Sequence, residues 1–158
     1  MKGIIIFIGI CVLFSCKTKQ NSDTTVSQNN NDVIDSGITE RDHPSLNIEA
    51  EIGDMTQESK NVQILKSKIE GNHLNLKIGY SGGCTSHEFQ FIGSSMISKS
   101  LPPIRTVRLV HLTDDTCREY IERELVVDLK QLAYKKEEGS TIKLKIQGLE
   151  GFLIYSYQ

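Results

Sequence analysis

The stretch IEGNHLNLKIGY, residues 69 to 80, decides the fold class of this chain. From Leu74 to Tyr80 every second residue is apolar, and the residues between them are polar or glycine. A period of two places one face of a β-strand in a core and the other in water. Gly71 and Asn72 stand just before this run, and such a pair is typical of a two-residue hairpin turn. The stretch therefore predicts two antiparallel strands joined at residues 71 and 72.

The same alternation recurs along the rest of the chain. Pro102 and Pro103 prevent the next strand from beginning before Ile104, because proline has no N–H for the sheet ladder. Residues 128–132 are compatible with a short helical turn. About seven alternating segments in one domain predict an all-β, immunoglobulin-like fold: a two-sheet antiparallel sandwich with one wet face per sheet. The alternating apolar positions after the opening hairpin are Phe89 and Phe91, Val107 and Leu109, Leu125 and Val127, and Ile142, Leu144 and Ile146.

The N-terminus, MKGIIIFIGICVLFSC, reads as a targeting segment. One lysine precedes a short apolar run, which is the pattern of a signal peptide and is shorter than a bilayer-spanning helix requires. Its last four residues, Leu13 to Cys16, resemble the lipobox of bacterial lipoproteins. That resemblance implies cleavage after residue 15 and a diacylglycerol on the sulfur of Cys16. Acyl chains there would anchor the protein to a membrane that it does not cross.

Residues 16–45 follow as the lipidated cysteine and a tether. Their content of Asn, Ser, Thr, Gln and Asp cannot bury enough apolar surface to offset the entropy of ordering, which predicts flexibility. No aspartate follows Cys16 directly. By similarity to lipoprotein sorting in Gram-negative bacteria, this favours the outer membrane. The lack of an acidic cluster favours the periplasmic face and leaves surface exposure open.

The remaining residues, 46–158, have the size of a single domain. The net charge of the chain is −2, and its charged residues are intermixed. This composition offers no basic stripe for nucleic acid. The chain also has no glycine-rich phosphate loop and no recognisable catalytic motif. These observations favour a protein that is not an enzyme and that has neither a nucleic-acid partner nor a cofactor.

Cysteine and histidine meet in YSGGCTSHEF, residues 80 to 89. Once Cys11 leaves with the signal peptide and Cys16 is lipidated, the domain retains Cys84 and Cys117. An even pair in an exported protein favours a disulfide between them, which would stabilise the fold by roughly 3 to 4 kcal/mol in the chain-entropy model.

Two other interpretations of these residues remain open. Cys84 and His87, together with His111, Asp114, Asp115 and Cys117 later in the chain, could supply ligands to zinc or copper. The preferred set is Cys84, His87, His111 and Cys117. Alternatively, Cys84 could be a thiolate nucleophile with His87 or His111 as its base. No CxxC or HxxxH pair supports the metal hypothesis, and no local motif supports the thiol-enzyme hypothesis.

Two longer strings carry a family resemblance. YSGGCTSHEFQF, from residue 80, and SLPPIRTVRLVHLTDDTCREYIERELVVDLKQL, from residue 100, resemble the C-terminal β-sandwich of NigD-like lipoproteins of the Bacteroidota. Those proteins also show a Gly-Gly-Cys-x-x-His turn, a later Asp-x-Cys, and a strand ending in Asp-Leu. The resemblance implies an envelope lipoprotein with a disulfide-bonded β-domain. This chain is too short for their extra N-terminal OB-like domain, so we expect a single-domain relative.

The function predicted from these patterns is that of a non-enzymatic envelope module, structural or binding. Its partner would be an envelope protein, a peptide or a glycan, in addition to the membrane. Two surfaces are candidates for the contact. One is formed by exposed tyrosines, and the other by the loops around Gly82 and Asp114. The tyrosines are Tyr120, Tyr155 and Tyr157.

Overall fold

The computed structural model describes residues 43–158, and these form an all-β domain, as predicted. The predicted signal peptide, the lipidation site at Cys16 and nearly all of the tether lie outside the described residues. Within residues 43–158, no helix is long and apolar enough to cross a membrane. The strands are β1 Leu46–Ile52, β2 Val62–Glu70, β3 His73–Gly82, β4 Glu88–Ser98, β5 Ile104–Leu112, β6 Glu119–Asp128, β7 Thr141–Ile146 and β8 Leu153–Ser156.

The hairpin predicted from the opening stretch is confirmed. Strands β2 and β3 pair antiparallel, and Glu70 faces His73 across a two-residue turn. Gly71 begins that turn with a φ of 58°, a left-handed conformation that glycine adopts without steric cost. Further along, β5 begins at Ile104 directly after the two prolines, and a short 3-10 turn spans Lys130–Leu132, both as expected.

The eight strands follow one another in a single hydrogen-bonded order, β2-β3-β6-β1-β4-β5-β7-β8, and form a nearly closed, barrel-like sheet. Strand β1 lies at its centre and has two partners. Its first half pairs parallel with β6, from Leu46 opposite Leu125, and its second half pairs parallel with β4, from Ala50 opposite Phe91. One short strand thus joins the two halves of the sheet.

The predicted sandwich needs correction in three respects. Residues 43–158 contain eight strands and not seven, because the sequence prediction did not include β1. The sheet is mixed and not purely antiparallel, since β1 runs parallel to both neighbours and β5 runs parallel to β7. The division into two sheets is not confirmed, because β1 continues the ladder from one half to the other. A period of two identifies a strand and says nothing about its direction or its neighbours.

The core lies inside this curved sheet, and one buried tyrosine closes its lower end. Tyr155 is fully buried, although it was predicted to be exposed, because β8 turns Ile154 outward and Tyr155 inward. The Tyr155 hydroxyl donates to Asn72 Oδ1 over 2.7 Å, which connects β8 to the β2–β3 turn. Burial, with the nearby negative charges of Asp128 and Tyr157, raises the pKa of Tyr155 to about 12.

Candidate functional site

Four strand ends meet at the upper end of the sheet, where β3 and β5 finish and β4 and β6 begin. The structure confirms the disulfide between Cys84 and Cys117, with 5.9 Å between their Cα atoms. This bond joins the β3–β4 loop to the β5–β6 loop. The end of the sheet that carries the candidate site is therefore covalently closed.

Asp115 reinforces the disulfide by binding both loops. Its Oδ2 accepts hydrogen bonds from the backbone N–H groups of Cys84 and Thr85 over 2.8 and 2.9 Å. Its Oδ1 accepts one from the N–H of Cys117 over 2.8 Å. The donors Thr85, Cys117 and Cys84 hold the pKa of this carboxyl well below its usual range. Asp115 is thus an ionised clamp, a role that neither the metal hypothesis nor the Asp-x-Cys spacing predicted.

The two histidines of the site are in direct contact. His87 Nδ1 and His111 Nε2 lie 2.9 Å apart, and His111 Nδ1 lies 3.4 Å from the Asn61 carbonyl oxygen. Burial lowers the pKa of His111; the contact with Asn61 opposes this shift, and the charge of His87 adds to it. His87 Nε2 points the other way, towards Asp115 Oδ2 at 3.3 Å. A polar chain therefore runs from Asp115 through both imidazoles to Asn61.

Aromatic rings fix the orientation of this pair. Phe89 stacks on His111 with 4.7 Å between ring centroids and an interplanar angle of 12°. Tyr80 packs against His87 at 4.8 Å and against His111 at 5.0 Å. Since aromatic neighbours restrict the rotation of each imidazole, the histidines are held in position by the core beneath them.

Two glycines make room for this arrangement. A Cβ atom on Gly82 would collide with Cε1 and Nε2 of the His87 ring. Gly83 has a φ of 113°, which side-chain-bearing residues rarely adopt. The Gly-Gly pair therefore lets the chain turn towards Cys84 while the imidazole lies against the backbone.

Above the histidines lies an open cleft of about 890 Å³. One wall is the β1–β2 loop, which Arg108 holds by donating to the carbonyls of Met55 and Gln57. Two hydrogen bonds join the same loop to β5: His111 N–H donates to Ser59 Oγ, and Lys60 N–H donates to the His111 carbonyl. All the lining residues except Leu112 carry polar side chains, although their apolar atoms form about half of the exposed surface; they are Glu58, Ser59, Lys60, Thr85, Ser86, His87, Glu88, His111, Leu112, Thr113 and Asp114.

The structure thus brings Cys84, His87, His111 and Cys117 to one place. With both sulfurs in a disulfide, neither cysteine offers a thiolate to a metal or acts as a nucleophile. Of the predicted tyrosine surface, Tyr120 is 56% exposed, whereas Tyr155 belongs to the core. The sequence did not identify Asn61 and Ser59 as residues of the site, because no pattern in the β1–β2 loop indicates that this loop packs against β5.

No protein-family model matches the chain, and no curated protein matches it. The structure is similar to that of a NigD-like immunity protein from Bacteroides caccae, with a TM-score of 0.54, 14% identity, and coverage of 71% of this chain and 59% of that one. The chain has a NigD-like fold. At this level the predicted resemblance is confirmed.

A second solved structure matches the chain less well. It is a protein of unknown function, DUF1344, from Bacteroides vulgatus, with a TM-score of 0.49, 17% identity, and coverage of 73% of this chain and 57% of that one. The chain thus spans less than two thirds of the length of either protein.

Proposed function

We propose that this chain is a membrane-anchored lipoprotein of the bacterial outer membrane whose folded domain is a non-enzymatic binding module. The observation that carries the binding role is the polar cleft at the disulfide end of the sheet. Binding residues commonly lie on loops that a rigid scaffold positions, and ligand sites are commonly concave. Here the scaffold is the disulfide together with the Asp115 clamp.

The chemistry of the cleft favours a polar partner. Glu58, Glu88 and Asp114 supply carboxylates, Lys60 supplies a positive charge, and the remaining lining is rich in hydroxyl groups. Such a surface suits a peptide segment of an envelope protein or the hydroxyl groups of a glycan. Because the similar structure from Bacteroides caccae is described as an immunity protein, we place a protein partner first.

The anchoring part of the proposal rests on the lipobox-like Leu13 to Cys16. In a Bacteroidota host fed an alkyne-tagged fatty acid, we expect the full chain to take up the label and to sediment with outer membranes. Cys16→Ser should abolish both. Cys11→Ser is the matched control, because Cys11 belongs to the predicted signal peptide, and it should keep both. Equal labelling of all three forms would contradict lipidation at Cys16.

The cleft is tested by site-specific photo-crosslinking in living cells. A photoreactive phenylalanine at Ser86 lies in the cleft, whereas one at the exposed Glu138 lies outside it. We expect the probe at Ser86, and not the probe at Glu138, to give a discrete crosslinked protein. If the partner is a glycan, we expect the purified domain to bind it on a glycan array through the cleft. Identical crosslinks from both positions, or no crosslink and no glycan signal, would refute the cleft as the binding surface.

A further inference from the structure

The two sulfurs of the disulfide and two side chains beside it are potential metal ligands, and Asp115 was only a secondary candidate in the sequence prediction. The sulfurs of Cys84 and Cys117 and a carboxylate oxygen of Asp115 all lie within 4.8 Å of one another. His111 is directed away from this group, because its Nε2 faces His87 Nδ1 and its Nδ1 faces Asn61. Asp115 therefore takes the place that sequence reasoning gave to His111.

His87 supplies the independent observation that points to a ligand. Its side chain is 6% exposed, and its Nε2 has no hydrogen-bond partner within residues 43–158. This nitrogen faces the Asp115 carboxylate at 3.3 Å. A buried polar atom without a hydrogen bond is costly, so its retention calls for an explanation.

The spacing of these two atoms matches a tetrahedral ion. Nitrogen and oxygen ligands about 2.0 to 2.1 Å from zinc lie about 3.3 Å apart at the tetrahedral angle. Two thiolates about 2.3 Å from the same ion lie roughly 3.8 Å apart. Cysteines whose Cα atoms are 5.9 Å apart can reach that sulfur separation after their bond is broken, by side-chain rotation.

We propose that Cys84, Cys117, Asp115 and His87 form a redox-gated site that binds Zn²⁺ when the disulfide is reduced. A dithiol reductant breaks the sulfur–sulfur bond by giving two electrons and two protons, and is itself converted to a disulfide. The two cysteine thiols then release their protons to water as their sulfurs bind the ion. The oxidised protein has no thiolate for the metal, so binding follows the state of the bond.

The charges of the site suit a divalent cation. Two thiolates and the ionised Asp115 bring three negative charges, and a neutral His87 adds a fourth ligand without charge. The Asp115 carboxylate accepts hydrogen bonds from backbone N–H groups, and Tyr80 packs against the His87 ring. Mixed sulfur and nitrogen ligands of this kind are typical of zinc. The inference is independent of the proposed partner at the cleft.

The test is a titration of the full chain with Co²⁺, a spectroscopic substitute for Zn²⁺, with and without a phosphine reductant. We expect the reduced protein to show sulfur-to-cobalt charge transfer and tetrahedral d–d bands that Zn²⁺ then removes. The oxidised protein should show neither. The double variant Cys84→Ser/Cys117→Ser should also show neither.

Histidine and carboxylate variants identify the remaining ligands. His87→Gln and Asp115→Asn should each weaken metal binding by more than about tenfold, because the loss of even an outer-shell partner of a metal ligand has an effect of about that size. His73→Gln is the matched control, because His73 is exposed at the other end of β3. The inference is overturned if the reduced chain gives no cobalt spectrum, whether or not it keeps its sheet circular dichroism. It is also overturned if His111→Gln abolishes the spectrum while Asp115→Asn leaves it unchanged.

Discussion

His87 Nε2 and Asp115 Oδ2 lie 3.3 Å apart beside the disulfide, and both side chains are almost fully buried. The two residues come from different loops, β3–β4 and β5–β6, so their contact depends on the closure of the upper end of the sheet. The stability of that end should therefore depend on the carboxylate, the disulfide and the glycine beneath the imidazole.

Replacing Asp115 with Asn should lower the midpoint of thermal unfolding and weaken its dependence on acid. Because the pKa of Asp115 is lowered in the folded state, its contribution is present above the unfolded value of 3.8 and is lost as the pH falls below it. Midpoints of thermal unfolding, measured at neutral pH and at progressively lower pH, give both the loss of stability and its dependence on pH. A variant whose stability falls with acid as steeply as that of the wild type would exclude Asp115 as the source.

Replacing Gly82 with Ala should destabilise the protein by about 1 to 3 kcal/mol, the usual cost of overpacking. The added methyl group would collide with the His87 ring, which neighbouring aromatics hold in place. The control is the same substitution in a His87→Ala background, where the ring is gone and the cost should fall, leaving only the 3.3 Å approach of the added Cβ to Asp115 Oδ2. Equal costs in both backgrounds would show that the two residues are not coupled.

Replacing Tyr155 with Phe should cost about 0.5 to 1.5 kcal/mol, because the hydroxyl donates to Asn72. The pKa of Tyr155 is raised from 10.0 to about 12, so the folded state favours the neutral phenol. Stability from this group is complete below pH 10 and is lost as the pH rises towards 12. Urea midpoints across that range should fall less steeply for the variant than for the wild type.

Removing the disulfide with the Cys84→Ser/Cys117→Ser pair should lower the free energy of unfolding by roughly 3 to 4 kcal/mol, as expected for a loop of this length. Equilibrium denaturation, compared with the wild type in the absence and presence of reductant, gives the value. If the reduced wild type matched the oxidised one, the bond would contribute nothing to stability in this domain.

The local elements were predictable from the sequence, and the long-range arrangement was not. Leu74 to Tyr80 revealed β3 because each alternate side chain enters one core, and Gly71 fixed the turn before it. Strand β1 escaped recognition because both its partners lie far along the chain and only Ala50 of its side chains is fully buried. Parallel neighbours are not joined by a short hairpin turn, so the sequence contains no turn signal for this pairing.

In the candidate site, too, the local features were predictable from the sequence and the long-range contacts were not. The even cysteine count, together with the predicted export of the chain, pointed to the bond between Cys84 and Cys117. The contact of His87 with His111 depends on the register of β4 against β5, in which Phe89 faces His111. Register is set by packing across the sheet, so no local pattern could show that the two imidazoles meet.

The position of β1 also bears on the order in which the domain can fold. Leu46 is among the first residues of the domain to be made, and it must wait for Leu125, near the far end of the chain, before it can pair. Contacts between such distant residues form slowly. A chain exported in the unfolded state, as the proposed address requires, would therefore be unable to complete its sheet until most of it had crossed the inner membrane.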